Sequence, residues 1–451
     1  MQEKKLLIHD IIEANPLGAF QKLVMLLCAL VIVFDGFDVL AIAYAAPDLS
    51  TALGIAKSQL GPVFSAGLIG MMIGALVLGP LGDKYGRRQA VIISVLLFGL
   101  FSLLTGYASN YAELILLRFL TGLGLGGAMP NVTALMTEYV SARLRNIAVA
   151  VIFLGMPIGA ITGGLLAAQI IPAYGWPAIF FVGGWLPLLL APVLYFWLPE
   201  SPRFLAMQDK DNQPALVRIA QKIARSQTIP PNAVFIPAAE TQPAQPVEQT
   251  AARALIKALF QSGYARDTLL LWTTFFMNLM VVYFLYSWIP TLLVNSGYPL
   301  AQASTTVVLL NIGGAISPFA FAWMTRRWGS KPVIVGCFVL GAISLMLLGK
   351  LSTSLNLLMT MAFFAGFFIV GGQISLNALA SYIYPTANRS TGMGWAFGIG
   401  RIGSIIGPVL GGGLIALALG MDVYFIVFGT ICLITALAAL LIRRHEKPVA
   451  T

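Results

Sequence analysis

Twelve apolar stretches, most of about 20 residues or more, dominate this chain and restrict the folds open to it. A helix needs roughly 20 apolar residues to cross the hydrocarbon core of a bilayer, so stretches of this length predict membrane-spanning helices. We therefore predict an all-α polytopic membrane protein with twelve transmembrane helices. The stretches lie near residues 22–46, 60–81, 89–108, 112–136, 147–171, 177–198, 267–294, 302–324, 332–350, 355–383, 391–418 and 423–442.

Composition and charge distribution support this prediction and orient the chain. Hydrophobic residues make up 58% of the sequence and charged residues only 10%, whereas soluble domains have roughly 25% charged residues. The net charge is +10. Of the 27 Lys and Arg residues, 23 fall near the termini or in alternate loops, and the other four are Lys57, Lys350, Arg118 and Arg401. Positive residues favour the cytoplasmic side, so both termini are predicted to be cytoplasmic, and the basic charge does not indicate nucleic-acid binding.

The spans divide into two halves that resemble each other. Residues 134–145 correspond to residues 378–389, and the glycines of the fifth stretch match those of the eleventh. Parallel six-helix repeats are the architecture of rocker-switch transporters, whose substrate site lies at the repeat interface near the bilayer midplane. The predicted organisation is a cytoplasmic segment at 1–21, six-helix bundles at 22–198 and 267–442, a cytoplasmic linker with amphipathic helices at 199–266 and a cytoplasmic tail at 443–451.

Amphipathic segments are also predicted outside the spans. Residues 6–13 have the pattern of a short helix lying on the cytoplasmic membrane surface. In the linker, residues 216–225 have a helical amphipathic pattern, and a proline-rich stretch at 230–246 predicts an extended segment. A second apolar patch before the seventh stretch comprises Leu255, Ile256, Leu259 and Phe260.

Two carboxylates interrupt the apolar first stretch, in the run Asp35-Gly36-Phe37-Asp38. A charge at mid-bilayer depth costs about 2.5 to 3.5 kcal/mol, so two acidic residues there require a function or a partner. Their three-residue spacing places both on one helix face, where they can share a polar cavity or one proton. We interpret Asp35 and Asp38 as proton-coupling residues. The alternative is a purely structural pairing with a buried arginine.

The loop after the second stretch carries the motif Gly79-Pro80-Leu81-Gly82-Asp83-Lys84-Tyr85-Gly86-Arg87-Arg88. This string resembles the signature loop of the major facilitator superfamily, and residues 118–122 and 199–203 resemble further features of that superfamily. The resemblance implies a conformational latch, and the positive N-terminal end of the eleventh span, just after Arg389, offers Asp83 a contact. The predicted latch residues are Gly79, Asp83, Gly86, Arg87, Arg88, Glu138, Arg145 and Arg389.

Motifs in the first stretch resemble one particular family within this superfamily. Asp35-Gly36-Phe37-Asp38 and Ala46-Pro47-Asp48-Leu49 together resemble the aromatic acid:proton symporters, bacterial importers of benzoate-like acids. Residues 118–131 and Tyr384-Pro385-Thr386 are also similar to that family, closest to its 4-hydroxybenzoate and protocatechuate carriers. Some relatives carry a histidine where this chain has Pro177. The histidines of this chain, His9 and His445, lie near the termini, so coupling cannot use an imidazole in the membrane.

A basic residue deep in the eleventh stretch supports an acidic substrate independently. Arg401 lies near mid-depth, where its guanidinium fork suits a substrate carboxylate or a pairing with Asp35 or Asp38. Arg118 could equally bind substrate or support the first-stretch carboxylates. Aromatic and amide side chains would stack on a ring and bind a ring hydroxyl, although Trp288 also fits an interfacial belt and Trp395 also fits packing. The predicted substrate-binding residues are Arg401, Arg118, Tyr283, Tyr286, Trp288, Asn311, Gln373, Asn377 and Trp395.

Together these residues predict a proton-coupled importer of small aromatic carboxylates such as 4-hydroxybenzoate, protocatechuate or benzoate in the bacterial inner membrane. A proton binds the Asp35/Asp38 pair, the anion docks on Arg401, and the two halves rock around the site. We expect a monomer in the lipid bilayer that needs no metal or cofactor and is driven by the proton gradient. The alternatives are transport of another organic anion, such as muconate or shikimate, and an efflux antiporter. An enzyme is not predicted, because the spans contain no histidine for a metal set or a base.

Overall fold

The computed structural model describes residues 5–208, 213–224, 229, 234–235, 257–261, 263–350, 354–384 and 386–443. Twelve helices in this part of the chain are long and apolar enough to cross a membrane, which confirms the predicted fold class. In chain order, the first six spans are Ala19–Ala52, Leu60–Tyr85, Arg87–Thr105, Tyr111–Glu138, Ala142–Tyr174 and Pro177–Trp197. The last six are Ala265–Asn295, Leu300–Trp328, Ser330–Lys350, Leu355–Ala365 continued by Gly371–Ile383, Thr386–Ala416 and Met421–Leu441.

The first span is longer than predicted, because its helix continues through Pro47 to Ala52. The hydroxyl groups of Ser50 and Thr51 donate to the Pro47 carbonyl oxygen at 3.0 and 3.2 Å. The Asp48 carboxylate accepts a 2.9 Å hydrogen bond from the backbone nitrogen of Trp176, just before the sixth span. Proline and aspartate end the apolar pattern in the sequence, but side-chain hydrogen bonds and a contact with another span hold this last part of the helix.

The spans pack as two bundles of six helices. In the first bundle the first span packs on the fifth and the second on the fourth; in the second bundle the seventh packs on the eleventh and the ninth on the twelfth. Gly36 shows how closely these helices approach, since a Cβ atom there would collide with the backbone of Met156 in the fifth span. The predicted two-bundle architecture is therefore confirmed.

The end of the bundles that carries the N-terminal segment and the linker is called the linker end here, and the opposite end is called the distal end. At the linker end, Gln21 in the first turn of the first span donates to the Tyr139 carbonyl oxygen at 2.6 Å. In the second bundle, the Thr268 hydroxyl donates to the Leu259 carbonyl oxygen at 2.9 Å, at the same end. The helix Gln213–Ile223 also contacts the first span, so the residues between the sixth and seventh spans contact both bundles at this end.

The N-terminal segment packs against protein at the linker end. Helix Ile8–Ala14 buries three isoleucines and contacts the linker helix Gln213–Ile223, which buries five apolar residues of its own. Backbone residues Lys5–Leu6 pair in parallel with Val234–Phe235, a two-residue ladder outside the spans. The sequence predicts the N-terminal helix on the membrane surface. The structure differs, because the linker helix offers this apolar face a protein partner.

The remaining linker predictions are tested only in part. The prolines of the predicted 230–246 stretch lie outside the described residues, as do Leu255 and Ile256. Of the second predicted patch, Leu259 is buried and Phe260 is partly exposed.

The two bundles contact each other at the distal end. The ammonium group of Lys57, before the second span, donates to the side-chain oxygen of Asn295 in the seventh span at 2.6 Å. The Phe64 ring packs edge-on against Trp288, with ring centroids 5.3 Å apart. Distal closure is therefore built from both polar and aromatic contacts between the bundles.

Towards the linker end, the facing sides of the second and eleventh spans are no longer in contact. Ser65 of the second span donates to the Ile405 carbonyl oxygen of the eleventh span at 2.6 Å. Leu76 lies about three turns further on this face of the second span, yet it is 71% exposed. Gly394 lies about three turns from Ile405, and a Cβ atom built there would meet open space. The gap between the bundles therefore opens at the linker end.

Candidate functional site

Asp38 and Arg118 form a buried ion pair inside the first bundle. The Arg118 Nη1 atom lies 3.3 Å from Asp38 Oδ2, and both side chains are almost fully buried. The Ser102 hydroxyl donates to the second Asp38 oxygen, while Arg118 donates to the Thr105 hydroxyl at 2.7 Å and to the Thr121 hydroxyl at 3.0 Å. Buried ion pairs need such additional hydrogen bonds to offset desolvation. Arg118 therefore pairs with Asp38. Of its two predicted roles, the structure favours support of the first-span carboxylates over substrate binding.

A cavity of about 30 Å³ lies beside this ion pair. Its walls come from the first, second and fourth spans, and Asp38, Arg118 and Thr121 supply the polar part of the lining. A cavity of this volume holds a water molecule when polar groups line it. The Asp38 carboxylate therefore has room for water beside it.

Asp35 has different surroundings, although it lies on the same helix face one turn before Asp38. Its side chain is 1% exposed, and its Oδ1 atom has no hydrogen-bond partner among the described residues. The Arg401 guanidinium, in the opposite bundle, is close enough to act on Asp35 electrostatically. Leaving a buried polar atom unpaired costs about 1 to 3 kcal/mol, so a proton or a polar ligand at this oxygen would be stabilising.

The Arg401 side chain lies half-buried in the second bundle, and most of its N–H donors have no partner in the described structure. Its Nη1 atom donates to the Tyr283 hydroxyl at 3.2 Å. Among the described residues, no carboxylate forms an ion pair with Arg401. The Tyr283 ring packs edge-on against Tyr286, with centroids 6.2 Å apart. A guanidinium has five N–H donors. Arg401 can therefore accept an anion without breaking an existing ion pair.

The tyrosines connect this group to the first bundle. Tyr286 lies near Tyr44 of the first span. The Tyr44 hydroxyl donates to the Ala160 carbonyl oxygen at 3.0 Å, so its position is fixed by the fifth span. Aromatic side chains from both bundles therefore lie beside the Arg401–Tyr283 pair.

A chain of three amide side chains links the seventh and tenth spans. Asn278 Nδ2 donates to Gln373 Oε1 at 2.7 Å, and Gln373 Nε2 donates to Asn377 Oδ1 at 3.0 Å. Asn278 is fully buried, and its Oδ1 atom has no partner in the described structure. Sequence reasoning identified Gln373 and Asn377 but missed Asn278. The available signal was a lone amide among the apolar residues of the seventh stretch.

Two of the predicted substrate-binding residues make contacts within the second bundle, and Trp288 also packs on Phe64 of the first bundle. Trp288 is fully buried, and its indole nitrogen donates to the Pro408 carbonyl oxygen at 2.9 Å. Asn311 is buried and donates to the Val307 carbonyl oxygen of its own helix at 2.9 Å. The structure does not place either side chain with Arg401, because depth in the membrane does not determine which face of a helix is covered.

Trp395 lies on a different side of the eleventh span from Arg401. Six residues separate them, which is about 120° around a helix. The Trp395 ring stacks on Trp272 with centroids 5.7 Å apart. It borders an open, mostly apolar groove of about 380 Å³, lined by Thr391, Gly394, Trp395, Gly398, Ile399 and Ile402. The structure therefore separates Trp395 from the Arg401–Tyr283 pair.

The predicted latch residues form a network inside the first bundle at the linker end. Arg87 pairs with Glu138, which also accepts a hydrogen bond from the Ser201 hydroxyl. Asp83 lies 3.1 Å from Arg87 but leaves 73% of its side chain exposed. The predicted contact of Asp83 with the start of the eleventh span is not formed among the described residues, because the bundles are apart at this end.

Glu200 completes this network. Its carboxylate accepts hydrogen bonds of 3.0 Å from the Arg88 backbone nitrogen and 2.8 Å from the Ser201 backbone nitrogen. The Tyr139 hydroxyl donates to the Glu200 carbonyl oxygen at 2.6 Å, and burial, reinforced by Glu200, raises the pKa of this tyrosine well above its ordinary value. Tyr139 therefore stays protonated and remains a donor.

The other predicted latch residues have simpler surroundings. Gly86 has φ of 106°, a conformation that favours glycine, and a Cβ atom there would collide with the Glu200 carboxylate. Gly79 is half-buried near Pro130. Arg145 and Arg389 are both exposed.

A family model described as Major Facilitator Superfamily matches residues 26–330 and 297–451. The chain is 41% identical over 414 residues to the 4-hydroxybenzoate transporter PcaK of Pseudomonas aeruginosa, covering 92% of this chain and 90% of that protein. It is 39% identical over 444 residues to the gallate transporter of Pseudomonas putida, covering 98% and 96%. The inward open structure of the xylose transporter XylE from E. coli matches with a TM-score of 0.71 at 18% identity, covering 95% of this chain and 97% of that chain, and shares its fold.

Proposed function

The chain belongs to the major facilitator superfamily, and we propose that it imports small aromatic carboxylates together with protons across the bacterial inner membrane. It is a multi-pass membrane transporter and not an enzyme. The observation that carries the finer proposal is the arrangement of Arg401 and Asp35. A guanidinium without an ion pair in the described structure lies within electrostatic range of a buried carboxylate of the other bundle, and one oxygen of that carboxylate is unpartnered.

The proposed substrate class rests on Arg401, on the tyrosines beside it and on the similar proteins. A carboxylate would accept charge-assisted hydrogen bonds from Arg401, the donor geometry that suits it best. The rings of Tyr283 and Tyr286 offer apolar surface for an aromatic ring. Proteins about 40% identical to this chain are named for 4-hydroxybenzoate and gallate, both aromatic carboxylic acids.

Proton coupling follows from the charges at this interface. With Asp35 ionised, a substrate carboxylate at Arg401 would bring a second negative charge into a low-dielectric site that has one nearby cation. Protonating Asp35 removes that repulsion, so proton and anion bind together more readily than either binds alone. The proton also removes the negative charge from a buried carboxylate whose Oδ1 atom has no partner among the described residues. The Asp38–Arg118 pair is the second proposed coupling element, since a proton on Asp38 would release Arg118 from it.

Alternating access supplies the transport step. The positive-inside rule makes the linker end cytoplasmic, so the gap between the bundles is an inward-facing opening. Closing this gap brings the latch loop towards the start of the eleventh span, while the Lys57–Asn295 and Ser65–Ile405 contacts at the distal end break. A site in which Asp35 is neutral and the anion neutralises Arg401 is less costly to occlude than one with unpaired charges.

The test is uptake of labelled 4-hydroxybenzoate into proteoliposomes under an imposed pH gradient. Wild type should accumulate the acid when the outside is acidic. Asp35→Asn should abolish accumulation while retaining exchange of internal for external acid, because a permanently neutral residue carries no proton. Asp10→Asn, an exposed position on the N-terminal helix, serves as the matched control and should behave as wild type.

Two results would contradict the proposal. Normal pH-driven accumulation by Asp35→Asn would remove Asp35 from coupling. Acid-driven loss of preloaded substrate from wild-type vesicles would instead indicate antiport. Competition by unlabelled benzoate, muconate and shikimate in the same assay tests whether the substrate must be aromatic.

A further inference from the structure

We propose that the amide chain Asn278–Gln373–Asn377 recognises a ring hydroxyl on the transported acid and so selects hydroxylated over unsubstituted aromatic carboxylates. Gln373 and Asn377 would contact the hydroxyl, and Asn278 would be a positioning residue that holds Gln373. This inference rests on the proposed function, because it concerns selectivity within that substrate class.

The chain has a fixed inner end and an accessible outer end. Asn278 is fully buried and holds Gln373 through a 2.7 Å hydrogen bond, whereas the side chains of Gln373 and Asn377 are only half-buried. Asn377 accepts the last hydrogen bond of the chain with its oxygen, which leaves the N–H donors of its amide for a ligand. A phenolic oxygen is a suitable acceptor for these donors.

The chain can also run in the opposite direction, because the oxygen and the NH2 group of an amide exchange places when the amide rotates. The buried Asn278 oxygen, which has no partner in the described structure, would gain one in that arrangement. If each amide rotates by half a turn, Asn278 accepts from Gln373, Gln373 accepts from Asn377, and Asn377 presents its oxygen. The outer amide could then accept a hydrogen bond from the hydroxyl. A phenol both donates and accepts, so the chain matches it in either direction.

The backbone of the tenth span is built to present these amides. A π-helical turn, Gly366–Val370, interrupts the span three residues before Gln373. A π-turn accommodates one extra residue, which rotates the following helix by about 100° relative to a continuous α-helix. A Cβ atom at Gly366 would collide with the backbone of Leu310, so close packing on the eighth span anchors this turn. The orientation of Gln373 towards the seventh span therefore depends on this turn.

The amide chain lies near Arg401 in depth. Tyr283, which accepts a hydrogen bond from Arg401, follows Asn278 by five residues on the seventh span. Five residues correspond to about 7.5 Å along a helix axis, on the scale of a single substituted benzene ring, and to about 140° around it. Tyr286, which lies near Tyr44 of the first span, is between the two positions, about 80° from Asn278 and about 60° from Tyr283. Asn278 and Tyr283 therefore flank the side of the seventh span that meets the first bundle. An acid whose carboxylate binds Arg401 could thus place a ring hydroxyl at the amide chain.

Competition between 4-hydroxybenzoate and benzoate in proteoliposomes containing the full-length protein tests this inference. Wild type should prefer 4-hydroxybenzoate. Asn278→Leu, which keeps the side-chain size, should reduce that preference about tenfold, the effect expected for loss of one net hydrogen bond. Gln373→Leu should have a similar effect. The double variant should lose little more than either single variant, because the residues act as a unit.

The matched control is Asn356→Ala, an exposed asparagine at the distal end of the same span, which should keep the wild-type preference. If Asn278→Leu fails to fold, Asn377→Leu replaces it, since this side chain is only half-buried. Equal loss of both acids, an unchanged preference or additive losses in the double variant would each overturn the inference. A wild type that carries both acids equally well would also overturn it while leaving the proposed function intact. A wild type that carries neither acid would instead contradict the proposed function itself.

Discussion

The two bundles hold their buried polar groups in different ways. In the first bundle, Asp38 and Arg118 are paired, and three hydroxyl groups satisfy most of their remaining donors and acceptors. In the second bundle, Arg401 has a single described hydrogen bond to Tyr283, and Asn278 has an unpartnered oxygen. Asp35 belongs to the first bundle by sequence but resembles the second group, since one of its oxygens is also unpartnered.

This difference separates structural from responsive polar groups. A saturated buried ion pair resists substitution, because removing either partner leaves an uncompensated charge, and it opens only when a proton discharges the carboxylate. An unsaturated group is costly as it stands, so a proton or ligand that completes its hydrogen bonds is favoured. We therefore expect substitutions in the Asp38–Arg118 cluster to affect stability most, and substitutions around Arg401 to affect ligand binding most.

The largest effect is expected for Arg118→Leu. Removing the guanidinium leaves Asp38 buried without its counter-charge, which should lower the free energy of unfolding by about 3 to 5 kcal/mol. Thermal unfolding in detergent measures this change. The double variant Arg118→Leu with Asp38→Leu should regain most of the stability, because no unpaired charge remains. A single variant as stable as wild type would show that the pair is not a structural element.

A smaller effect on stability, with a larger one on binding, is expected for Arg401→Leu. Charge-assisted hydrogen bonds contribute about 1.5 to 3 kcal/mol, so affinity for 4-hydroxybenzoate should fall roughly tenfold to a hundredfold. Isothermal titration with purified protein measures this loss. The unfolding temperature should change much less than in Arg118→Leu. If both variants are destabilised equally, the proposed contrast between the bundles fails.

The smallest effect on binding is expected for Trp395→Leu. Its ring stacks on Trp272 about 120° around the helix from Arg401, so substrate affinity should stay within about twofold of wild type. Loss of the stacking contact should lower the free energy of unfolding by about 0.5 to 1.5 kcal/mol. The same titration and unfolding assays apply. A tenfold loss of affinity would place Trp395 in the binding site after all.

Sequence reasoning reached the fold and the superfamily, and it reached the site only in part. The twelve spans, the two-bundle fold and the superfamily are confirmed, because length and hydrophobicity identify spans without knowledge of packing. Asp35 and Asp38 were predicted as equivalent residues on one face. Their neighbours from other helices make them different, since Ser102 and Arg118 contact only one of the two.

The amide and aromatic predictions show where depth alone is insufficient. Trp288 and Asn311 lie at middle or distal depths in their spans, but contacts within the second bundle occupy both. Asn278 was missed, although it anchors two residues that were predicted. The π-turn at Gly366–Val370 rotates the tenth span after it, so helical periodicity computed along the chain does not give the face that Gln373 presents.

The amino-acid order by itself determined which segments can cross the membrane and to which superfamily the chain belongs, and its basic loops predict the orientation of the chain. These properties depend on local hydrophobicity, charge and motif spacing. Only the tertiary structure decided which buried charge has a partner, which end of the gap is open and which helix faces meet. Those outcomes depend on contacts between residues far apart in sequence. The pattern of residues along one chain does not specify the distances between them.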